Sequence, residues 1–189
     1  FVSGGTVYGG WCIGQRMLKE YGISNLEVLN VENACATGAS AFREAWFRVS
    51  TGQCDIAIAA GVESMTTSPV AGKLITPPPD DIDGQLGLTV PVFFALMMRR
   101  HMHEFGTTPE QFAKVSVKNH DNGCLNPYSQ YQKRFTVEEI LQSRAVCDPL
   151  TLLQCCPNSD GAAAVVLCAK EISTRYTNTP MFVSASVLR

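Results

Sequence analysis

Two uninterrupted apolar runs place the strongest constraint on how this chain can fold. One is IAIAA at 56–60, which ends at a glycine, and the other is AAAVVLC at 162–168. Neither run alternates apolar with polar residues, as a strand with one solvent-facing side would. Strands of this kind lie between layers of helices, so the sequence predicts an α/β fold with a parallel sheet covered on both faces.

Helix and strand patterns surround these runs. Helices are predicted at 7–21, where Gly22 suits a C-terminal cap, and at 35–50. A further helix at 109–119 should begin at Thr108, an N-cap residue followed by proline in the first turn. The other predicted elements are a strand at 27–31, helices at 90–105, 136–143 and 170–175, and a strand at 181–188.

The domain organisation follows from a change of pattern after the first run. Residues 1–65 and 156–189 are assigned to one sheet-containing domain, and 66–155 to a mostly helical insertion. The insertion opens with the proline-rich, loop-like stretch 66–89. Because the chain starts at Phe1 and its last predicted strand is cut at the far end, we expect an interior piece of a longer protein.

The composition excludes several classes of protein. With 46% hydrophobic and 17% charged residues and a net charge of −2, the chain is globular and not built to bind nucleic acid. Its most apolar stretch, Leu88 to Met98, is too short to span a membrane. The eight cysteines have irregular spacing and no Cys-x-x-Cys pair, which argues against a zinc site and favours free, mostly buried thiols.

Cys35 is the residue whose surroundings point most clearly to chemistry. In NACATGASA, at 33–41, it lies where a predicted strand ends and a helix of small residues begins. Thiolate is the reactive form of cysteine, and a helix N terminus stabilises negative charge. The same N–H groups can donate to the oxyanion that forms in acyl transfer. From the residues alone, Cys35 is either a nucleophile or a packing thiol.

Several segments, in matching order, resemble the thiolase family. VENACATGASAFREA at 31–45 is similar to the segment of the family's nucleophilic cysteine, and CDIAIAAGVESMTTSP at 54–69 to its apolar strand and Gly-x-Glu-Ser-Met turn. NSDGAAAVVLCAKE at 158–171 looks like the strand that closes the family's N-terminal half. NPYSQYQ at 126–132 and DPLTLLQCCPNSDGAA at 148–163 resemble the sterol carrier protein-type branch in particular.

The resemblance implies a fold and a reaction. The complete protein would have a layered αβαβα thiolase-like fold, of which this chain holds most of the N-terminal half and the helical loop domain. It would be an acyltransferase that cleaves 3-oxoacyl-CoA with CoA, in fatty-acid β-oxidation or sterol side-chain degradation. Cys35 would be the catalytic nucleophile, holding the acyl group as a thioester, and its own N–H an oxyanion donor.

Other residues are interpreted through the same resemblance. The family's catalytic histidine and second cysteine, in a Cys-x-Gly turn, have no counterpart here, so these 189 residues alone are expected to be inactive. The histidines expected to be structural or on the surface are His101, His103 and His120. The residues that bind coenzyme A stay unassigned. The cations considered for its phosphates, and interpreted as solvated charges, are Lys114, Lys118, Lys133 and Arg134.

Cofactor, partner and location are also expectations. No bound cofactor or metal is expected, because coenzyme A and acyl-CoA are substrates. Thiolases are generally dimers or tetramers, so the resemblance implies a homo-oligomer, with a partner subunit as a further option. The expected location is intracellular: cytoplasmic in a bacterium, peroxisomal or mitochondrial in a eukaryote.

Other functions on the same scaffold stay open. A thiolase-like aldolase would cleave a CoA ester beside a partner subunit, and its cysteine would be dispensable. A non-catalytic lipid-transfer protein would leave Cys35 no more reactive than an ordinary thiol. A ketoacyl synthase shares the fold, but the segments at 54–69 and 158–171 resemble thiolases more closely.

Overall fold

The computed structural model describes residues 2–4, 12–66, 77 and 80–188, and the chain divides into two compact units. The sheet unit comprises Phe1–Ala71 with Ser159–Arg189, and the helical unit comprises Gly72–Asn158. The first part of the predicted helix at 7–21, and residues 67–76, 78 and 79 of the predicted loop at 66–89, lie outside the described residues.

The elements follow one another closely along the chain. In order they are β1 Val2–Gly4, α1 Ile13–Glu20, β2 Leu29–Val31, α2 Thr37–Ser50, β3 Ile56–Ser64, α3 Ile82–Gln85, α4 Val90–Phe105, α5 Pro109–Gly123, α6 Val137–Gln142, β4 Ala145–Cys147, β5 Leu150–Thr151 and β6 Asp160–Cys168. Short 3₁₀ turns lie at Ala34–Ala36, Leu152–Gln154 and Lys170–Arg175.

The sheet of the sheet unit has four strands in the order β2-β1-β3-β6. β1 is parallel to both of its neighbours, as predicted, but β6 runs antiparallel to β3 along nine residue pairs. The prediction of a purely parallel sheet is therefore wrong for β6. This strand does not follow β3 through a crossover helix but after the whole helical unit, so the crossover that keeps strands parallel does not apply.

The prediction that both faces of the sheet are covered is also wrong for β6. Its residues from Asp160 to Val166 are exposed, and Val166 keeps 69% of its surface. β3 matches the prediction better, because Ala57, Ala59 and Ala60 are all buried. A strand that is apolar along its whole length thus presents a bare apolar surface within this chain.

The core of the sheet unit is built from small side chains. Ala41 and Ala45 on α2 pack against Ala57 and Ala59 on β3, and partly buried residues such as Leu167 surround them. Alanines let the helix approach the strand closely. On α2 itself, Ala41 and Ala45 are buried, whereas Gly38 near its start is exposed.

Local capping signals fix the helices of the helical unit. α4 has its predicted bounds and ends at Gly106, whose φ of 64° is in the left-handed region that favours glycine. At the start of α5, the Thr108 side chain accepts from the N–H of Gln111, and the Gln111 side chain accepts from the N–H of Thr108. Pro109 occupies the first turn, as predicted.

The predicted strand at 181–188 is wrong, since these residues have no regular structure. A segment becomes a strand only by pairing with a neighbour, and neither described sheet includes it. Among the described residues, no helix has the length and apolar character needed to cross a membrane.

Candidate active site

The Cys35 thiol lies on a short turn between a strand and a helix. β2 ends at Val31, a 3₁₀ turn spans Ala34–Ala36, and α2 begins at Thr37. Ala34 has a φ of 45°, in the left-handed region that residues with a Cβ seldom adopt. Cys35 is exposed and lies immediately ahead of the first turn of α2.

Hydrogen bonds hold this turn from both directions. The Thr37 hydroxyl accepts from the Asn33 N–H at 2.8 Å and donates to the Ala34 carbonyl at 2.6 Å. The Asn33 side-chain amide donates to Ser40 Oγ at 3.1 Å, and the Ala34 N–H donates to Glu32 Oε1 at 2.6 Å. Because Thr37 and Ser40 are buried, the turn is anchored to the part of α2 that packs in the sheet unit.

This arrangement suits attack on a carbonyl carbon. The fourteen-residue α2 directs the N–H groups of its first turn toward the segment that carries Cys35. Those groups and the helix dipole can stabilise the oxyanion of a tetrahedral intermediate. An exposed thiol at this place can therefore form a thioester.

All three histidines belong to the helical unit. His120 Nε2 lies 3.1 Å from the carbonyl oxygen of Leu153, and its ring packs edge-on against Phe135 with the centroids 4.8 Å apart. His101 and His103 are exposed on α4. The contacts of His120 are those of a structural residue.

Two of the cations considered for coenzyme A have acidic neighbours. Lys133 Nζ lies 3.5 Å from Glu139 Oε1, and Arg134 Nε lies 3.9 Å from Asp121 Oδ1. A hydrogen bond from the Thr136 N–H, with a smaller effect from Lys133, lowers the pKa of Glu139. These pairs fit the interpretation of solvated surface charges. The other two cations, Lys114 and Lys118, are exposed on α5.

With this geometry established, the comparison with known families is decisive. The family model described as the N-terminal domain of thiolase matches residues 6–171. This chain belongs to the thiolase family. The turn that carries Cys35 and most of both compact units lie within the matched region.

Named relatives agree with this thiolase assignment. Acetyl-CoA acetyltransferase of Methanothermobacter thermautotrophicus is 46% identical over 167 residues, which are 87% of this chain and 43% of that protein. Sterol carrier protein 2 of Gallus gallus is 40% identical over 190 residues, covering 95% of this chain and 35% of that protein. The chain therefore spans less than half the length of these relatives.

A solved structure shows that the fold is shared. The Ltp2-ChsH2(DUF35) aldolase matches with a TM-score of 0.75 and 24% identity, over 92% of this chain and 45% of that one. The predicted family and the predicted α/β, thiolase-like fold class are confirmed.

The thiolase chain has a shallow cavity of about 170 Å³ near the C-terminal end of α2, away from Cys35. It is lined by Leu26, Glu27, Leu29, Arg48, Cys54, Ile56 and Ala57. An ion pair between Arg48 and Glu27, 2.6 Å apart, forms part of this lining. We assign the cavity no role in the chemistry of Cys35. In the described ranges, no group of three or more His, Cys, Asp or Glu residues is placed to hold a metal.

The eight cysteines are free, but the expectation that most are buried is wrong. The exposed ones are Cys12, Cys35 and Cys156, and the other five are half-buried. Burial, and then the neighbouring Cys156, raises the pKa of Cys155.

The sequence predicted the strand-to-helix turn that carries Cys35, but not the side chains that hold this turn. These are Asn33, Thr37 and Ser40. A signal was present, since Asn, Ser and Thr at the start of a helix bond to local backbone groups. Which of those groups each one would choose depends on the path of the turn.

Proposed function

We propose that the protein is a thiolase-type acyltransferase in which Cys35 carries the acyl group between coenzyme A thioesters. The observation that carries this proposal is the exposed Cys35 thiol on a hydrogen-bonded turn directly ahead of α2. Membership of the thiolase family and similarity to an acetyl-CoA acetyltransferase support it. The proposed substrates are 3-oxoacyl-CoA and free CoA, neither of which is a resident cofactor.

In the proposed reaction, the Cys35 thiolate attacks the keto carbon of 3-oxoacyl-CoA. A carbon–sulfur bond forms, the carbon–carbon bond next to it breaks, and acetyl-CoA leaves after its carbon takes up a proton. A second CoA thiolate then attacks the acyl-Cys35 thioester and releases the shortened acyl-CoA. The Cys35 N–H donates to the oxyanion in these steps.

The proposed reaction also needs groups that move protons. By family resemblance they are a histidine and a cysteine in a Cys-x-Gly turn of the protein's second half, and the resemblance assigns neither role to a residue of this chain. We propose that sequence beyond this chain supplies them. A homo-oligomer, with or without a partner subunit, is likewise a proposal that rests on the family.

The test is mass spectrometry of the protein with its complete natural sequence after incubation with a 3-oxoacyl-CoA. An acyl adduct is expected on the peptide that contains Cys35, and it should disappear on addition of free CoA. Cys35→Ala should abolish the adduct. Cys12→Ala is the matched control, because Cys12 is also exposed and would report non-specific acylation.

Two other functions predict different results, one for the activity of the Cys35→Ala variant and one for the adduct. An aldolase, the activity in the name of the solved neighbour, would keep its activity in Cys35→Ala. A lipid carrier, the function in the name of the sterol carrier relatives, would show no Cys35-specific adduct at all. An intact protein that never acquires an adduct on Cys35 would refute the acyltransferase proposal.

A further inference from the structure

We propose that Thr37 is a positioning residue for the Cys35 thiol. The inference rests on the function proposed above and adds a residue that acts through the backbone of the turn. The Thr37 hydroxyl uses both its acceptor and its donor capacity on the two residues that precede Cys35. These two hydrogen bonds, which we call the bridge, join the first residue of α2 to the backbone that precedes Cys35.

The geometry of the bridge limits where Cys35 can lie. The Asn33 N–H donates to the hydroxyl at 2.8 Å, and the hydroxyl donates to the Ala34 carbonyl at 2.6 Å. The Thr37 N–H also donates to the Ala34 carbonyl. Two groups of Thr37 therefore hold the same carbonyl, and Cys35 lies between the two ends of this bridge.

The bridge holds a strained backbone. Ala34, at φ 45°, adopts a conformation that an alanine keeps only where its surroundings hold it. Thr37 is 6% exposed, so water cannot readily replace its hydroxyl. Without the hydroxyl, we expect the turn to relax and to move the thiol and the N–H of Cys35 together, away from their arrangement at the start of α2.

A second threonine, which caps the C-terminal end of the same helix, provides a contrast. Thr51, at the C-terminal end of α2, donates its hydroxyl to the Phe47 carbonyl at 2.8 Å and is exposed. Like Thr37, it bonds to the backbone, but it is far along the helix from Cys35. Thr51→Val is therefore a matched control for the loss of a threonine hydroxyl.

The experiment compares Thr37→Val, Thr37→Ser and Thr51→Val in the protein with its complete natural sequence. We expect Thr37→Val to lower kcat for thiolysis, and the rate of Cys35 acylation, by about 10- to 100-fold, with KM little changed, because a small displacement of a reacting group costs rate and not binding. Thr37→Ser, which keeps the hydroxyl, should restore most of the rate. Thr51→Val should match the unmodified protein.

The rate of hydrogen exchange at the backbone amide of Asn33 reports the hydrogen bond to the Thr37 hydroxyl, independently of activity. It should accelerate in Thr37→Val and stay slow in Thr37→Ser. An unchanged acylation rate in a folded Thr37→Val protein would overturn the proposal, whether or not exchange accelerates. A fall in kcat that Thr37→Ser does not restore would also overturn it.

The proposed function can fail separately from the bridge. If the unmodified protein forms no Cys35 adduct, the acyltransferase proposal is refuted and the role of Thr37 in that reaction falls with it. Accelerated exchange in Thr37→Val would then still show that the bridge exists. A normal adduct with no effect of Thr37→Val leaves the function standing and removes only the positioning role.

Discussion

At the scale of single residues, the contact between Thr66 and Asp160 joins positions 94 apart in the sequence. The Thr66 N–H donates to Asp160 Oδ1 at 2.8 Å, and its hydroxyl donates to Oδ2. Asp160 is also the last partner of β3, opposite Ser64. The carboxylate therefore ties the residues that follow the end of β3 to the start of β6.

This contact predicts a pH dependence of stability. The Thr66 hydroxyl, then its N–H, lowers the pKa of Asp160. A carboxyl group with a lowered pKa in the folded state stabilises the protein above its unfolded pKa, about 3.9 for aspartate, and loses that contribution as the pH falls through the folded value. Asp160→Asn should therefore reduce the free energy of unfolding at pH 7, and the deficit should shrink at lower pH.

Chemical denaturation of both proteins across this pH range gives the measurement. Thr66→Val removes the strongest hydrogen-bond donor to Asp160, so the double variant should lose less stability than the sum of the two single variants. A deficit of Asp160→Asn that stays the same at pH 3 and pH 7 would contradict the role assigned to the carboxylate.

At the scale of elements, the contact between α2 and β3 depends on the small size of its side chains. Ala45 on α2 is fully buried and lies in one cluster with Ala57 and Ala59 of β3. Close packing leaves no room there for additional methyl groups. The same contact fixes the direction of α2 and, through Thr37, the place of the turn that carries Cys35.

Ala45→Leu should destabilise the protein by about 1–3 kcal/mol, because the larger side chain forces the helix and the strand apart. Ala39→Leu, on the exposed side of the same helix, should change the free energy of unfolding by no more than about 0.5 kcal/mol. Denaturant unfolding of the two variants tests this difference. Equal effects at the two positions would show that the alanine contact does not control the packing of α2.

Elements differ in how far the sequence determines them. α4 and the start of α5 were predictable because Thr108, Pro109 and Gly106 act on their own neighbours in the chain. The antiparallel direction of β6 was not, since it depends on pairing with a strand about one hundred residues away. The strand prediction at 181–188 was wrong for the same reason, because an apolar run does not identify a pairing partner.

In the candidate site too, some features follow from neighbouring residues and others do not. The strand, turn and helix around Cys35 could be predicted because they follow one another within a few residues, whereas the catalytic role of Cys35 stays a prediction. The roles of Asn33 and Thr37 could not, because their hydrogen bonds depend on the left-handed conformation of Ala34, which alanine does not signal.

At the scale of the whole molecule, each unit exposes large apolar side chains. In the sheet unit Val166 and Ile56 keep 69% and 42% of their surface, and in the helical unit Leu96 and Phe94 keep 57% and 50%. The named relatives are more than twice as long as the part this chain covers. Large apolar side chains that stay exposed in this number are often covered by further protein.

Copies of this 189-residue chain, produced alone, should associate with one another and should not catalyse thiolysis. Their exposed apolar side chains should drive concentration-dependent association, visible by sedimentation velocity, whereas the protein with its complete natural sequence should form a discrete species. Val166→Lys, which places a charge on the bare strand β6, should reduce the association. Turnover should be absent because the proton-moving histidine and cysteine of the family have no counterpart here. A monodisperse chain would contradict the predicted association through exposed apolar side chains. Measurable thiolysis by it would show that these residues contain every group that the reaction needs.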